Sequence, residues 1–127
     1  MRGVLLDTHV VLWYLAGDEE RLTADVREGL EESGLEAHVS AASVWEIAIK
    51  AGLGKLHVGG DLVERIEDAG FSMLEVTVDH AWRVRDMPTH HGDPFDRLLV
   101  AQAQAEGLAL LTRDAAFDAY DVDTVWG

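Results

Sequence analysis

Residues 93–114 read DPFDRLLVAQAQAEGLALLTRD, and this stretch predicts a helix followed by a strand. Asp93 is a good N-cap, Pro94 suits the first helical position, and Gly107 stops the helix. The apolar residues 108–111 that follow predict a buried strand. A helix that leads into a buried strand is typical of α/β proteins with a parallel sheet.

The rest of the chain repeats this alternation in both directions. Further strands are predicted over residues 4–6, 37–39, 73–78 and 124–126, and further helices over residues 9–16, 22–33, 43–51, 61–69 and 79–86. We therefore expect a single α/β domain over residues 1–127, with a central parallel sheet and right-handed crossovers.

The composition excludes several classes of protein. With 48% hydrophobic and 27% charged residues, the 127-residue chain is an ordinary globular sequence and not a disordered one. It has no cysteine, which excludes a disulfide framework, a cysteine zinc site and a thiol nucleophile. Because no segment reaches the roughly 18 apolar residues of a spanning helix, we expect a cytoplasmic protein without a membrane partner.

The chain is strongly acidic, with 24 Asp and Glu against 10 Lys and Arg and a formal net charge of −14. This balance argues against non-specific nucleic-acid binding by a broad basic surface, since phosphate neutralisation needs Lys and Arg. It is compatible with a nucleic-acid enzyme whose metal ions supply positive charge within the site.

Acidic residues fall where a site forms in this kind of sheet. Asp7 directly follows the first strand and Asp114 the strand at 108–111, while Asp93 and Asp96 open the preceding helix. Glu46 lies within an apolar helical segment. Because sites of open parallel sheets form beyond the carboxyl ends of the strands, these acids can converge on one end of the sheet.

Clustered carboxylates repel one another, and a bound divalent cation removes that penalty. Hard oxygen ligands suit Mg²⁺ or Mn²⁺. Such ions activate water and stabilise charge on a phosphate, which fits phosphodiester hydrolysis. Neither a Ser-His-Asp arrangement nor a Gly-rich phosphate loop is comparably placed in the sequence.

Each acid also has a purely structural interpretation, which the sequence leaves open. Asp93 can be only an N-cap, Asp96 a complement to the helix dipole, and Asp114 a turn residue. Glu46 can lie on a solvated helix face. Asp7 is harder to explain in this way, since an acid between two apolar segments is partly buried and needs a partner.

Basic residues near these acids have two interpretations as well. Lys50 and Lys55 are the only lysines, and they flank a glycine turn. Arg97 and Arg113 are adjacent in sequence to acids of the set. All four can contact a substrate phosphate or simply point to solvent, and the two arginines can also neutralise the acidic cluster.

Histidine and tryptophan residues receive simpler interpretations. The adjacent His90 and His91 are expected to be loop residues and not a transition-metal site, because a second ligand cluster is missing from the sequence. Trp13, Trp45 and Trp82 lie on apolar faces and are predicted to be core residues.

Four stretches of this chain, in this order, resemble the PIN-domain ribonucleases, and among them the VapC-type toxins of type II toxin–antitoxin systems. They are LLDTHVVLWYL (5–15), SVWEIAIKAGLGKL (43–56), HGDPFDRLLVAQAQAEGLALLTRD (91–114) and AAFDAY (115–120). Each motif alone is moderately specific, whereas their ordered combination over nearly the whole chain is a strong signal.

The resemblance implies a three-layer α/β/α fold and Mg²⁺- or Mn²⁺-dependent endonuclease activity on RNA. It also implies a homodimer that a cognate antitoxin protein inactivates. By the same resemblance, the four acids of the family fall, in chain order, on Asp7, Glu46, Asp96 and Asp114. Asp93 matches an additional acid of the DPFDR subgroup, and Thr112 matches a hydroxyl residue that orients a ligand or water.

Three other functions share part of this pattern. A phosphate-accepting receiver domain needs adjacent acids after its first strand and a late lysine; here Leu6 precedes Asp7, and no lysine follows Lys55. A PIN-like domain kept as a catalytically inert binding module is disfavoured by the complete acidic set. A nuclease acting on DNA would use the same metal chemistry, so only a comparison of substrates separates it from a ribonuclease.

Overall fold

A five-stranded sheet forms the centre of the protein in the computed structural model, which describes residues 3–32, 34–88 and 92–126. The strands are β1 (Gly3–Leu6), β2 (Glu36–Ser40), β3 (Ser72–Leu74), β4 (Ala109–Leu111) and β5 (Thr124–Val125). They lie in the order β3-β2-β1-β4-β5, and every neighbouring pair is parallel. The predicted parallel sheet is confirmed, with β1 at its centre.

Helices connect the strands. They are α1 (Thr8–Ala16), α2 (Ala24–Glu31), α3 (Ala41–Gly52), α4 (Leu62–Asp68), α5 (Val78–Arg83) and α6 (Pro94–Glu106), with 3₁₀ turns at Val84–Asp86 and Ala115–Ala119. Each predicted helix is present, with boundaries shifted by up to three residues. Within the described part of the chain, no helix has the length and apolarity needed to cross a bilayer.

Apolar side chains cover both faces of the sheet. Along β1, Val4 and Leu6 belong to one buried cluster and Leu5 to the other, as the alternation of a strand requires. The first cluster includes residues of α1, α2 and α4, whereas the second is built mainly on α6. The sheet therefore lies between two helical layers, and the predicted three-layer α/β/α fold is confirmed.

Helix α6 is capped as its sequence predicts. The Asp93 side chain accepts hydrogen bonds from the backbone N–H groups of Phe95 (2.8 Å) and Asp96 (3.3 Å). At the other end Gly107 adopts a φ of 67°, a conformation that glycine accepts without strain. These caps fix where Asp96 stands at the start of the helix.

The predicted strand over residues 73–78 was too long. Its β structure ends at Leu74, because Thr77 begins α5: its hydroxyl accepts from the N–H of His80, and its own N–H donates to His80 Nδ1. This reciprocal capping box starts the helix at Val78. The 3₁₀ turn over Ala115–Ala119 was not predicted.

The prediction that Trp45 and Trp82 lie in the core was wrong. Their exposed fractions are 60% and 65%. On α3 the inward positions are taken by Glu46 and Ile47, so Trp45 points outward. Trp13 is half-buried and packs against the core, as expected.

Candidate active site

Strands β1 and β4 are hydrogen-bonded neighbours, and they end beside each other. Leu6 pairs with Leu111, and the N–H of Asp7 donates to Leu111 O at 3.0 Å. Asp7 therefore continues the ladder by one residue, and Thr112 and Asp114 follow β4 at the same edge. For Asp7 and Asp114, this is the shared edge that the parallel topology predicts.

Thr112 links the first and last of these acids. Its buried hydroxyl donates to Asp7 Oδ2 at 2.8 Å and accepts from the backbone N–H of Asp114 at 3.0 Å. One hydroxyl thus fixes both the orientation of the Asp7 carboxylate and the start of the turn that carries Asp114.

The Asp7 carboxyl is buried, with 4% of its surface exposed. Burial raises its pKa above the ordinary Asp value, and the negative charge of Asp114 adds to this rise. The Thr112 hydrogen bond, the His9 ring and the His9 backbone oppose it. Burial has the largest effect, so the charged form of Asp7 is disfavoured in the protein. A cation next to Asp7 would stabilise that charged form.

Glu46 is buried on the inner side of α3, which contradicts the interpretation as a solvated helix residue. Lys50 lies one turn later, and its Nζ donates to Glu46 Oε2 at 2.9 Å. The second carboxylate oxygen, Oε1, is buried and has no hydrogen-bond partner. A buried carboxylate oxygen without a donor is costly, so Glu46 is poised to accept a further ligand.

Lys50 is influenced electrostatically by the remaining acids. The hydrogen bond with Glu46 is the largest of the effects that raise the pKa of Lys50, and the charges of Glu46, Asp93 and Asp96 contribute, while partial burial opposes them. The lysine ammonium therefore bonds to Glu46, and its charged form is also favoured by the charges of Asp93 and Asp96.

A pair of buried hydroxyls connects these two groups of acids. Thr8 Oγ1 and Ser43 Oγ lie 2.8 Å apart, and both residues are almost inaccessible to solvent. Thr8 directly follows Asp7, and Ser43 lies one helical turn before Glu46. This pair was not predicted from the sequence, although Thr8 lies in the motif over residues 5–15 and Ser43 in that over residues 43–56, each as a small polar residue among apolar ones.

The donor set fits a hard divalent cation in its chemistry. It consists of carboxylate oxygens, one buried carboxyl whose charged form is penalised by burial, and one buried carboxylate oxygen without a partner. In residues 3–32, 34–88 and 92–126, however, no three His, Asp or Glu side chains are arranged closely enough to hold a metal ion as they stand. Lys50 is the cation that contacts Glu46.

Two of the acids also have the structural roles that the sequence allowed. Asp93 caps α6, and Asp114 Oδ1 accepts from the N–H of Ala116 at 2.9 Å to cap the following 3₁₀ turn. Each carboxylate is thereby held at the edge of the sheet where Asp7 lies.

The predicted basic residues differ in their surroundings. Lys55 and Arg113 are exposed, and Arg113 Nη1 donates to Arg21 O at 3.0 Å. Arg97 has a structural role, since its guanidinium donates to the backbone oxygens of Val84 and Met87. His90 and His91 lie outside the described residues.

Comparison with known proteins agrees with this architecture. The family model for the PIN domain matches residues 4–123. Ribonuclease VapC22 of Mycobacterium tuberculosis is 30% identical over 122 residues, which cover 90% of this chain and 88% of that protein.

Two solved structures share the fold. VapBC2 from Rickettsia felis, bound to a promoter DNA fragment, superposes with a TM-score of 0.72 at 11% identity, covering 97% of both chains. DNA-bound VapBC from Salmonella typhimurium also gives 0.72, at 15% identity and 98% coverage of both chains. From the family-model match and the 30% identical relative, we conclude that the chain belongs to the PIN-domain family and resembles its VapC-type ribonucleases.

Proposed function

We propose that this protein is a Mg²⁺- or Mn²⁺-dependent endoribonuclease that hydrolyses RNA phosphodiester bonds and acts as a toxin neutralised by a cognate antitoxin. The observation that carries the proposal is the buried Asp7 carboxyl, joined through the Thr112 hydroxyl to the segment of Asp114 at the ends of adjacent parallel strands. The relationship to Ribonuclease VapC22 supports RNA as the substrate.

Asp7, Asp96 and Asp114 are the residues proposed to hold the ion, with Glu46 as a direct or indirect ligand. When bound, the ion would lower the pKa of water and stabilise charge on the phosphate. The chain's own part is to hold the carboxylates in place: Thr112 orients Asp7, and the N-terminal cap of α6 positions Asp96.

Positive charge for the substrate comes from a few side chains. Lys50, Lys55 and Arg113 are the proposed phosphate contacts, and Lys50 is the one directly bonded to a site acid. With a formal net charge of −14, the protein depends on such local cations to bring a polyanion close to its carboxylates.

An antitoxin would block the same site. The similar solved structures include VapBC complexes, and a site built from carboxylates in an acidic protein favours a basic inhibitory segment. We expect an antitoxin Arg or Lys near Asp96 and Asp114. The structure of the complex with a co-purified antitoxin tests this, and an inhibitory segment lying wholly away from these acids would contradict it.

A second copy of the chain is the proposed partner of an apolar face on α3. Trp45, Ile49 and Leu53 are 60%, 41% and 64% exposed, and their spacing of four residues places them on one side of the helix. We expect sedimentation to give a dimer for the parent and a monomer for Ile49→Asp. A parent that sediments as a monomer would disprove the homodimer.

The central experiment is cleavage of single-stranded RNA and of DNA with the same sequence. We expect RNA cleavage that EDTA stops and Mn²⁺ restores, with products carrying 5′-phosphate and 3′-hydroxyl ends, because hydrolysis by water needs no ribose 2′-hydroxyl as nucleophile. Asp96→Asn should abolish cleavage without unfolding the protein. The double variant His90→Ala/His91→Ala should keep most of the activity.

Other results of this cleavage experiment would contradict the metal mechanism or favour a different function. Cyclic-phosphate products or full activity in EDTA would disprove the metal mechanism. Cleavage of DNA but not RNA would indicate the DNA-acting alternative. A folded parent that cleaves neither nucleic acid would indicate an inert binding module.

A further inference from the structure

Four side chains form an aromatic and cationic stack beside the acids. The ring of His9 stacks on Trp13 at a centroid distance of 5.9 Å, and Trp13 meets the ring of Trp126 edge-on at 6.3 Å. The Arg113 guanidinium carbon lies 6.0 Å from the Trp13 ring centroid and 5.5 Å from that of Trp126. We call these four residues the His9–Arg113 stack.

The His9–Arg113 stack has a fixed base and exposed ends. Trp13 and Trp126 are half-buried and pack against the core, whereas His9 and Arg113 are exposed. The Arg113 side chain is held further by its bond to Arg21 O. Rings that are already held in place lose little conformational entropy when a flat ligand stacks on one of them.

The stack adjoins the candidate active site. His9 is close enough to Asp7 to lower its pKa, and Arg113 directly precedes Asp114. A pocket of about 350 Å³ has Arg113 and Trp126 in its walls together with Thr112 and Asp114. His9 and Trp13 line a different pocket. A ligand bound against Arg113 and Trp126 would therefore also face Asp114.

We propose that the His9–Arg113 stack binds an unpaired base of single-stranded RNA next to the phosphodiester bond to be cleaved. This inference rests on the proposed ribonuclease function. Bases of single-stranded RNA stack on aromatic rings and on Arg guanidinium planes, and every base offers such a face. The stack thereby selects unpaired RNA over a duplex, whose bases are already stacked.

The net charge of the protein strengthens the argument. A chain with a formal charge of −14 repels a polyanion, so phosphate contacts alone bind it weakly. Stacking uses the faces of the bases and not their charges. It therefore gives this acidic protein a way to bind RNA without a basic surface.

The test measures the affinity of RNA without cleavage. A fluorescein-labelled single-stranded RNA pool of randomised sequence is titrated with the full-length protein in EDTA, and its anisotropy is followed. We expect His9→Ala and Arg113→Lys each to weaken binding by about fivefold to a hundredfold. His9→Phe should bind like the parent, because it keeps a ring that can stack.

Arg113→Lys distinguishes stacking from charge, since lysine keeps the charge and loses the plane. Arg85→Lys is the matched control. The Arg85 guanidinium carbon lies 4.4 Å from the ring centroid of Trp82, a residue of α5, and Arg85 bonds to Trp82 O and Asp86. We expect this control to bind like the parent. The same RNA with abasic internal residues should bind the parent and Arg113→Lys equally weakly.

Two results would disprove base binding by the stack. One is parent-like affinity in both His9→Ala and Arg113→Lys, and the other is a parent that binds the abasic strand as tightly as the intact one. In either case the stack would serve another partner, such as a protein inhibitor. A parent that binds RNA through the stack but cleaves no RNA with Mn²⁺ would confirm base binding by the stack and disprove the ribonuclease. The failures of the two proposals are thus distinguishable.

Discussion

Thr112 donates a hydrogen bond to Asp7 Oδ2 at 2.8 Å, although the two residues are 105 positions apart in the chain. The bond joins the ends of β1 and β4 and holds a buried carboxylate in one orientation. Because the same hydroxyl accepts from the N–H of Asp114, one side chain sets the position of two acids. Substitutions at Thr112 should therefore change both the stability of the protein and the pH dependence of cleavage.

Replacing Thr112 by valine should destabilise the protein by about 1–3 kcal/mol, because a buried carboxylate and a backbone N–H each lose a partner. The hydrogen bond also opposes the rise in the pKa of Asp7, so its loss should raise that pKa further. The acidic limb of the cleavage–pH profile should then move to higher pH. Urea unfolding and cleavage rates against pH measure the two effects.

Thr112→Ser is the matched control, since it keeps the hydroxyl and loses only the methyl group. We expect it to retain most of the stability and the parental pH profile. Equal damage by serine and valine would show that packing of the methyl group, and not the hydrogen bond, is what matters at this position.

Asp7→Asn should be more stable than the parent at neutral pH in EDTA. Burial raises the pKa of Asp7 in the folded state above its unfolded value of 3.8, so the charged carboxylate costs stability once the pH exceeds the folded pKa. As the pH falls through that folded pKa, the parent takes up a proton and the advantage of asparagine should shrink. Urea unfolding at a series of pH values checks this sign.

The same variant tests the proposed metal ligand. Added Mn²⁺ should raise the melting temperature of the parent by ligand linkage and leave that of Asp7→Asn nearly unchanged. An equal rise in both proteins would exclude Asp7 as a ligand.

Lys50→Met removes the ammonium that pairs with the buried Glu46 carboxylate. Because the Lys50 side chain is 43% exposed, solvent screens the pair, and we expect a loss of about 1 kcal/mol in the free energy of unfolding. Mn²⁺ should stabilise this variant more than it stabilises the parent, since a divalent ion can neutralise Glu46 in place of the lysine. Urea unfolding with and without Mn²⁺ measures both quantities.

The control for Lys50→Met is Lys55→Met, a change at the other lysine, which is exposed. Its stability should match that of the parent, and so should its response to Mn²⁺. A response to Mn²⁺ that is the same in Lys50→Met and in the parent would place the ion away from Glu46.

Local signals explain which parts of the fold were predictable from the sequence. The start and end of α6 follow from Asp93 and Gly107, which act on backbone groups within a few residues. The approach of Asp7 to the segment of Asp114 follows from parallel topology, because neighbouring parallel strands end at one edge. Neither conclusion requires knowledge of how side chains pack.

Features that depend on packing between distant segments could not be predicted. The Thr8–Ser43 bond joins residues 35 positions apart, and its formation depends on how α1 and α3 meet. The exposure of Trp45 and Trp82 depends likewise on which side of each helix faces the sheet. The Glu46–Lys50 pair could have been predicted from the sequence, since a spacing of four places both side chains on one helix face.

Gln102 lies on α6, six residues after Asp96. Replacing it by leucine should lower the free energy of unfolding by about 1–3 kcal/mol. Gln102 is fully buried; its Oε1 accepts from the Ser40 hydroxyl, and its Nε2 donates to Glu75 O at 3.3 Å. Ser40 also caps α3, the helix of Glu46, by accepting from the N–H of Ala42. Leucine would leave the buried Ser40 hydroxyl without its acceptor and Glu75 O without its donor, and would loosen the start of α3 relative to α6.

The neighbouring Gln104 provides the control on the same helix. It is exposed, and its Nε2 donates to Asp121 O at 2.9 Å, so Gln104→Leu should change the free energy of unfolding by no more than about 0.5 kcal/mol. Because the Ser40–Gln102 bond connects the helices of Glu46 and Asp96, Gln102→Leu should also weaken the stabilisation by Mn²⁺, whereas Gln104→Leu should not. Equal Mn²⁺ responses in the two variants would show that this bond stabilises the fold without positioning the acids.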